Sequence, residues 1–470
     1  MMARKMRDIG VAAGKVFHAE AQRGRGAERM KPSGIPWIGD IPEGWKVIPA
    51  RHVFVEVTAK NKNGKYTRQL SFRYGEIVDK GPNQSHNAFP EETILTYTVV
   101  EPNTIMINGL NLNYDLLSFR VAIVKEVGII TSAYLAVLPQ SSRIIPWYAL
   151  YLLKAYDFKM VFHGQGSGIR MTLKFADFAT LPITLPPLPE QRAIADYLDE
   201  KCGAIDATIA EAKKGIEEYK AWKKSFIFEA VTGKRRVGIF NAEKQSCREA
   251  EKMKPSGIPW IGEIPEGWKL ARLKNCAKVF GRIGFRGYTT ADIVNEGEGA
   301  LSLSPSNLKD IRMDYTKRTY ISWSKYEESP EIKVCKGDIV FVKTGSSYGK
   351  ACIVDDMPCE ATLNPQLVVL KCFSCHNRYL NYYLQTPLIK YQVELIVSGG
   401  TIPTMSQEKM GGWKIILPPL PEQQAIADYL DGKCAAIDAM VAEKEILIAD
   451  LEAYKKSLIY ETVTGKRRMP

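Results

Sequence analysis

The sequence predicts an α+β protein with a pseudo-two-fold tandem architecture. Two mixed domains alternate with two long helices, and the helices pack on each other as an intramolecular antiparallel coiled coil. Two repeats carry this expectation. The stretch from Leu185 to Arg236, LPPLPEQRAIADYLDEKC through VTGKRR, returns from Leu417 to Arg468 at an offset of 232 positions without a gap, and about two-thirds of its residues are identical. A shorter block, Lys31–Lys46 (KPSGIPWIGDIPEGWK), returns as Lys254–Lys269 (KPSGIPWIGEIPEGWK) at an offset of 223.

Each copy of the longer block reads as one helix. Pro189 and Pro421 suit the first turn, where the missing N–H costs nothing, and Glu190 and Glu422 favour the positive end of the helix dipole. Gly233 and Gly465, each followed by Lys-Arg-Arg, are stop signals. Apolar residues then recur at alternating three and four positions. Cys202, Ile205, Ile209, Ala212, Ile216, Tyr219, Phe226 and Ala230 form one seam, with Lys223 as its interruption. Cys434, Ile437, Val441, Ile448, Leu451 and Leu458 repeat it. Such a seam asks for another helix. A single domain of modest size is a poor cover for a rod of about 60 Å, so the two helices are expected to cover each other.

The shorter block, rich in Pro, Gly and Trp, reads as a rigid connector, with Trp37, Trp45, Trp260 and Trp268 either pinning it to a surface or sitting in a core. The chain thus divides into a basic N-terminal extension (1–29), a first domain (30–184), the first helix (185–236), a linker (237–253), a second domain (254–416), and the second helix with a basic C-terminal end (417–470). The segments Val47–Thr184 and Leu270–Ile416 are inserts of comparable size on this scaffold. From about Leu135 they align without gaps at the same offset, LAVLPQSSRIIPWYALYLL against LVVLKCFSCHNRYLNYYLQ. Apolar runs at Thr104–Ile107, Val121–Val124, Asp338–Val342 and Leu367–Leu370 predict strands. Pro146–Lys154 and Asn377–Gln385 predict short helices. The scaffold is duplicated and the inserts have diverged.

Composition places the chain among soluble globular proteins. Lys and Arg exceed Asp and Glu by 12, which suits an anionic partner, and seven of the basic residues lie within 1–30. No apolar run approaches the ~18 residues of a membrane span, and the basic N-terminus lacks the apolar core of a secretory signal. The nine cysteines show no framework spacing and favour a reducing cytoplasm.

Catalytic motifs are missing from the sequence. It contains neither a P-loop nor the Asn/Asp-Pro-Pro-aromatic motif of amino-methylating enzymes, and Leu-Pro-Pro-Leu at 185–188 and 417–420 lacks that motif's polar and aromatic residues. Cys372-Phe-Ser-Cys375-His376 matches the c-haem pattern. At the aligned offset its partners are Gln140, Arg143 and Ile144, so it reads as a strand end with incidental cysteines rather than as haem, or as zinc with Cys352 or Cys359. Asp355-Asp356 reads as a solvated turn.

Nucleic-acid features are better represented. Lys62, Asn63, Lys65, Tyr66, Arg68, Gln69 and Arg73 cluster in one polar stretch. Ser167 and Arg170 lie in a Gly-rich loop whose counterpart contains Thr401. Arg282, Arg286 and Tyr288 occupy GRIGFRGY. Lys343, Thr344, Ser346, Ser347, Tyr348 and Lys350 follow a strand directly. Small polar loops let backbone approach phosphate, and Arg, Asn and Gln can read base edges.

With SGIPWIG-x-IPEGW before each insert and LPPLPEQ-x-AIADYLD after it, nearly the whole chain from Met30 resembles the specificity subunits of type I restriction–modification enzymes. The resemblance implies two target-recognition domains, each reading one half of a split, non-palindromic DNA sequence. It implies that the paired helices set the gap and dock two modification subunits, which bring S-adenosylmethionine and methylate adenine. A motor–nuclease subunit using ATP and magnesium would join for cleavage. No cofactor or metal is expected on this chain. The rival expectation is a non-catalytic coiled-coil scaffold whose inserts bind protein.

Overall fold

The computed structural model describes residues 29–80, 91–113, 119–165, 171–237, 252–258, 260–282, 287–309, 312–394 and 405–467. The chain forms two compact units, residues 1–213 with 445–470, and residues 214–444. Each unit therefore contains one insert and a part of both long helices.

In the first unit the connector opens with a hairpin, Met30–Pro32 against Asp40–Pro42. The strand Lys46–Pro49 then pairs antiparallel with Pro182–Leu185, setting Val47 opposite Thr184. The insert therefore leaves and rejoins the scaffold at neighbouring positions. Its central sheet is antiparallel, in the order Phe54–Glu56, Leu135–Pro139, Ile105–Ile107, Val121–Ile123. Ile105, Ile107, Leu135 and Val137 face the larger core, together with the helix Pro146–Phe158. Met106 and Ala136 face a smaller core with Leu70, Val100 and Ile130. Burial on both faces explains why these strands read as unbroken apolar runs.

The second unit repeats the plan. Glu263–Pro265 pairs with Met253–Pro255, and Lys269–Arg272 pairs with Lys414–Leu417, with Leu270 opposite Ile416. The central sheet runs Lys278–Gly281, Leu367–Lys371, Ile339–Val342, Ala351–Ile353. Alternate residues of Ile339–Val342 again face two different cores. A second four-stranded sheet contains the parallel pair Gly299–Leu303 and Ala361–Leu363.

The strands and short helices lie where apolar patterning predicts them, but the gap-free alignment slips by one residue across the short helix. Tyr148 Oη donates to Thr184 O at 2.9 Å, and it is Tyr379, not residue 380, whose Oη donates to Ile416 O at 2.8 Å. Tyr151 and Tyr382 likewise donate to Asp199 and Asp431 at 2.6 Å each. Gln191 Oε1 accepts from Ile145 N and Gln423 Oε1 from His376 N, both at 2.8 Å. The turn after the strand Leu135–Pro139 is thus one residue longer than its counterpart, and His376 corresponds to Ile145 rather than Ile144.

Both long helices have 44 residues, Leu188–Val231 and Leu420–Val463, and they pack together antiparallel. In the second unit the Lys444 side chain crosses Gly215, whose missing Cβ would lie 3.0 Å from Lys444 Cε. Two turns along, Lys223 Nζ donates to Asp438 Oδ1 at 2.6 Å. In the first unit the equivalent pair is Lys455 and Asp206, also at 2.6 Å. Ile205, Ile209 and Ile216 are buried and Tyr219 half-buried. On the other helix Ile437 and Leu458 are buried, while Val441, Ile448 and Leu451 are half-buried. The seam therefore follows the predicted spacing, with two corrections. Lys223 belongs to it, its stem buried and its charge paired. Ile227, not Phe226, is the buried residue of the next turn; Phe226 lies beneath Arg235, whose guanidinium is 5.0 Å from the ring.

Trp45 and Trp268 are core residues, whereas Trp37 and Trp260 are only partly buried. Trp45 Nε1 donates to Glu190 and Trp268 Nε1 to Glu422, at 3.0 Å each. Each connector thus grips the start of one long helix and the end of the other: Gly465 packs on Pro42 and Trp45, and Gly233 on Pro265 and Trp268.

Burial also separates the cysteines by reactivity. Desolvation pushes the Cys202 and Cys434 thiols up to about 11, whereas Cys335, Cys359 and Cys372 are exposed. At pH 8 a thiol of pKa about 11 is thiolate in only about one molecule per thousand. Iodoacetamide on the native chain is expected to label Cys335, Cys359 and Cys372 first and to reach Cys202 and Cys434 only after unfolding. Early labelling of either helix cysteine, read by peptide mass spectrometry, would contradict the packing.

Candidate nucleic-acid interface

In the first unit a buried amide builds the polar turn. Asn61 Nδ2 donates to Tyr66 O at 2.9 Å, and Asn61 Oδ1 accepts from Tyr66 N at 3.1 Å. With the turn so fixed, Lys62, Asn63 and Lys65 project to solvent, and Lys65 Nζ lies 5.5 Å over the half-buried Tyr66 ring. Arg73 is exposed at the end of the hairpin Leu70–Arg73/Glu76–Asp79. Its turn residue Tyr74 is 90% exposed, a flat ring beside a cation. Arg68 is exposed but ion-paired with Asp79 at 2.8 Å and with Glu126, so its charge is already partly answered. Gln69 is half-buried, its carbonyl accepting from Lys80 N at 3.0 Å. Behind these residues Ser71, Lys80, Thr96 and Ser132 help to line a concavity of about 420 Å³.

In the second unit the loop Lys343–Lys350 joins the strands Ile339–Val342 and Ala351–Ile353. Gly349 N donates to Val342 O at 3.0 Å and Tyr348 N to Gly345 O at 3.1 Å. Gly345 and Gly349 have φ of 96° and 88°, which glycine adopts without a Cβ penalty. Ser346 and Lys350 are exposed, and Lys343, Thr344 and Ser347 half-buried. Burial holds the Lys343 ammonium below its usual pKa. Tyr348 is half-buried with a covered hydroxyl, and burial, with Glu394 adding to it, raises its pKa.

Arg282 requires a correction. It is only 3% exposed, and its guanidinium donates to Leu363 O at 3.0 Å and to Thr362 Oγ1 at 3.3 Å. It is a structural cation under the sheet end rather than a surface reader, with half-buried Tyr288 stacked 5.8 Å from it. Ser167, Arg170, Arg286 and Thr401 lie outside the described residues. The c-haem-like motif is dispersed into local roles. Cys372 is exposed in a left-handed turn, Cys375 Sγ approaches Cys276 O at 3.8 Å, and His376 caps the helix Asn377–Leu384. Among the described residues no group of three or more His, Cys, Asp or Glu is placed to hold a metal ion.

Residue-type reasoning overlooks one loop. Sheet register sets Ile107 opposite Leu135 and Val342 opposite Leu367. Because Leu135 and Leu367 are equivalent, Asn108 in the first unit stands where Lys343 stands in the second. Asn108, half-buried, begins an Asn-rich loop with exposed Asn111 and Asn113. Fully buried Arg120 supports the loop, donating to Asn108 O and Leu110 O at 2.9 Å each. The sequence signal is the asparagine run directly after a strand, masked by the unequal lengths of the two loops.

The fold is therefore a duplicated scaffold carrying two divergent polar loop surfaces. The family model for the type I restriction modification DNA specificity domain matches residues 61–218 and 285–445. The chain belongs to this family. A relative from Methanocaldococcus jannaschii, provisionally named the MjaX type I restriction enzyme specificity subunit, is 26% identical over 446 residues, covering 92% of this chain and 96% of the relative. The MjaVIII specificity subunit of the same organism is 26% identical across 72% of this chain and 75% of its own length. A solved chain from work on complex assembly and conformational transition of a type I restriction–modification system shares the fold, with a TM-score of 0.62 at 14% identity, covering 90% of this chain and 98% of that one. No helix among the described residues is long and apolar enough to cross a membrane.

Proposed function

We propose that this chain is the DNA-reading, non-catalytic subunit of a type I restriction–modification complex. Each unit reads one half of a bipartite, non-palindromic target, and the paired helices set the gap and dock two modification subunits. Those subunits supply S-adenosylmethionine and methylate adenine; a motor–nuclease subunit adds ATP- and magnesium-dependent cleavage. The complex works in the cytoplasm on double-stranded DNA. The observation that carries this reading is the duplicated scaffold with unlike loops at equivalent places, in a chain of the DNA-specificity family. A repeat that kept its frame while varying its loops suits two sequences read at a fixed separation.

Within the first unit, Lys62, Asn63, Lys65, Tyr66, Arg73 and the asparagine loop form the contact surface. Within the second, it is the loop Lys343–Lys350. Exposed Lys and Arg supply affinity through phosphate, and Asn, Gln and Ser supply choice of sequence. The test is sequencing of methylated bases in DNA exposed to this chain together with its modification subunit. Adenine marks within one split motif of fixed gap are expected. No marks from two proteins shown to be associated would favour a scaffold that binds protein.

A further inference from the structure

We propose that Lys343 is a specificity-determining residue whose ammonium reads the O6 and N7 edge of a guanine in the half-target taken by the second unit. The proposal rests on the reading that the chain recognises duplex DNA, and it assigns to one side chain a base that this reading leaves open.

Lys343 is the first residue beyond a fully buried strand, and its backbone is fixed on both sides. Its N–H donates to Gln366 O at 2.9 Å, and its carbonyl accepts from Met405 N at 3.2 Å. The backbone carrying this side chain therefore has little freedom to drift. Gln366 and Ser346 are exposed, and Gln407 Nε2 donates to Gly281 O at 3.2 Å.

Among the described residues no carboxylate or other acceptor meets Lys343 Nζ. Two other half-buried lysines of this unit are ion-paired, Lys371 with Asp338 at 2.5 Å and Lys333 with Glu327 at 2.6 Å, and Lys444 lies 5.7 Å from the centre of the Tyr219 ring. A partly desolvated cation without a partner is costly, and burial accordingly weakens its hold on its proton. An acceptor brought by a ligand relieves that cost.

Duplex DNA offers two acceptors, phosphate and base edge. Phosphate is met readily by lysines that stand clear of the surface, as Lys62, Lys65 and Lys350 do. A half-buried ammonium stands less clear of the surface and suits a base edge that comes down onto it. Guanine is the base that presents two acceptors together in the major groove and is the usual partner of Lys there. The equivalent position in the first unit is Asn108, the residue type that pairs with adenine. The duplication thus places different readers at one position of the frame.

The test determines the methylated motif and measures binding to single-base variants, using the chain with its modification subunit. Lys343→Met keeps most of the stem and removes the charge, and thermal melting checks that it folds; should Met misfold, Lys343→Gln, which also removes the charge, takes its place with the same loss of guanine discrimination expected. Lys350→Ala serves as the phosphate control. A guanine is expected in the second unit's half-site. Lys343→Met should cut discrimination at that position by about 5- to 150-fold and leave the other half unchanged. Lys350→Ala should weaken all sequences alike and reduce the salt dependence by roughly one phosphate contact. A second half-site without guanine, an unaltered motif with uniform weakening in Lys343→Met, or relaxation in the other half would each overturn the proposal while leaving the specificity function intact. No split motif from the wild-type complex would instead remove the functional reading on which it rests.

Discussion

Gly465→Ala is expected to destabilise the first unit by about 2–4 kcal/mol, and Gly34→Ala by only about 1–2 kcal/mol. The two glycines share the same left-handed backbone, φ of 72° and 73°, so both substitutions carry the same conformational penalty. They differ in surroundings. A Cβ at Gly34 meets nothing within 4 Å, whereas at Gly465 it would overlap the ring of Pro42 and approach Trp45. Gly465 ends the second long helix, with Lys466 N donating to Glu461 O at 2.8 Å, and Trp45 is the residue whose indole holds Glu190 at the start of the first. Displacing Pro42 therefore disturbs both helix ends at once. Chemical denaturation of the three proteins reads the difference directly. Equal losses in the two variants would mean that the connector does not close on the helix end. Gly233, at φ 76° and with its Cβ position 2.5 Å from Pro265 Cδ, should show the same sensitivity in the second unit.

This latch shows why so much of the architecture is legible in the sequence. The residues that make it, Trp45, Glu190 and Gly465 or Trp268, Glu422 and Gly233, are the ones the two copies share. The same holds for Asp206 with Lys455 and Lys223 with Asp438, which are each other's equivalents across the repeat. Identity between copies therefore marks contacts, and the antiparallel pairing follows from it. Burial is less legible. Lys223 interrupts an apolar pattern on paper but sinks its stem into the seam, because an aspartate on the partner helix answers its charge. Arg282 sits in a glycine-rich loop beside a tyrosine, which reads as a surface cation, yet it is buried and donates to the Leu363 carbonyl and the Thr362 hydroxyl. The one-residue slip at Tyr148 and Tyr379 hides in a turn, where length costs little. The loop at Asn108 escapes notice because only sheet register, not sequence, aligns it with Lys343.

Replacing residues 47–184 with the corresponding insert of another family member is expected to change one half of the methylated motif completely. The other half and the gap should stay as they are. The structural argument lies at the insert's ends. Val47 and Thr184 are paired across two adjacent strands, so a foreign insert enters and leaves through a ladder that the scaffold already holds. Tyr148 contributes to the same closure by donating to Thr184 O; an insert that keeps a tyrosine there should therefore seat without strain. The helices lie outside the exchanged segment and retain their length, so the separation they set is kept. Specific protein–DNA complexes commonly exceed non-specific binding by about 10³-fold or more, so the exchanged half should lose its old sequence outright rather than blur. Sequencing of methylated adenines before and after the exchange decides the matter. Alteration of both halves, or a shifted gap, would mean that the insert and the helices act as one reader and that the duplication does not divide the labour of recognition.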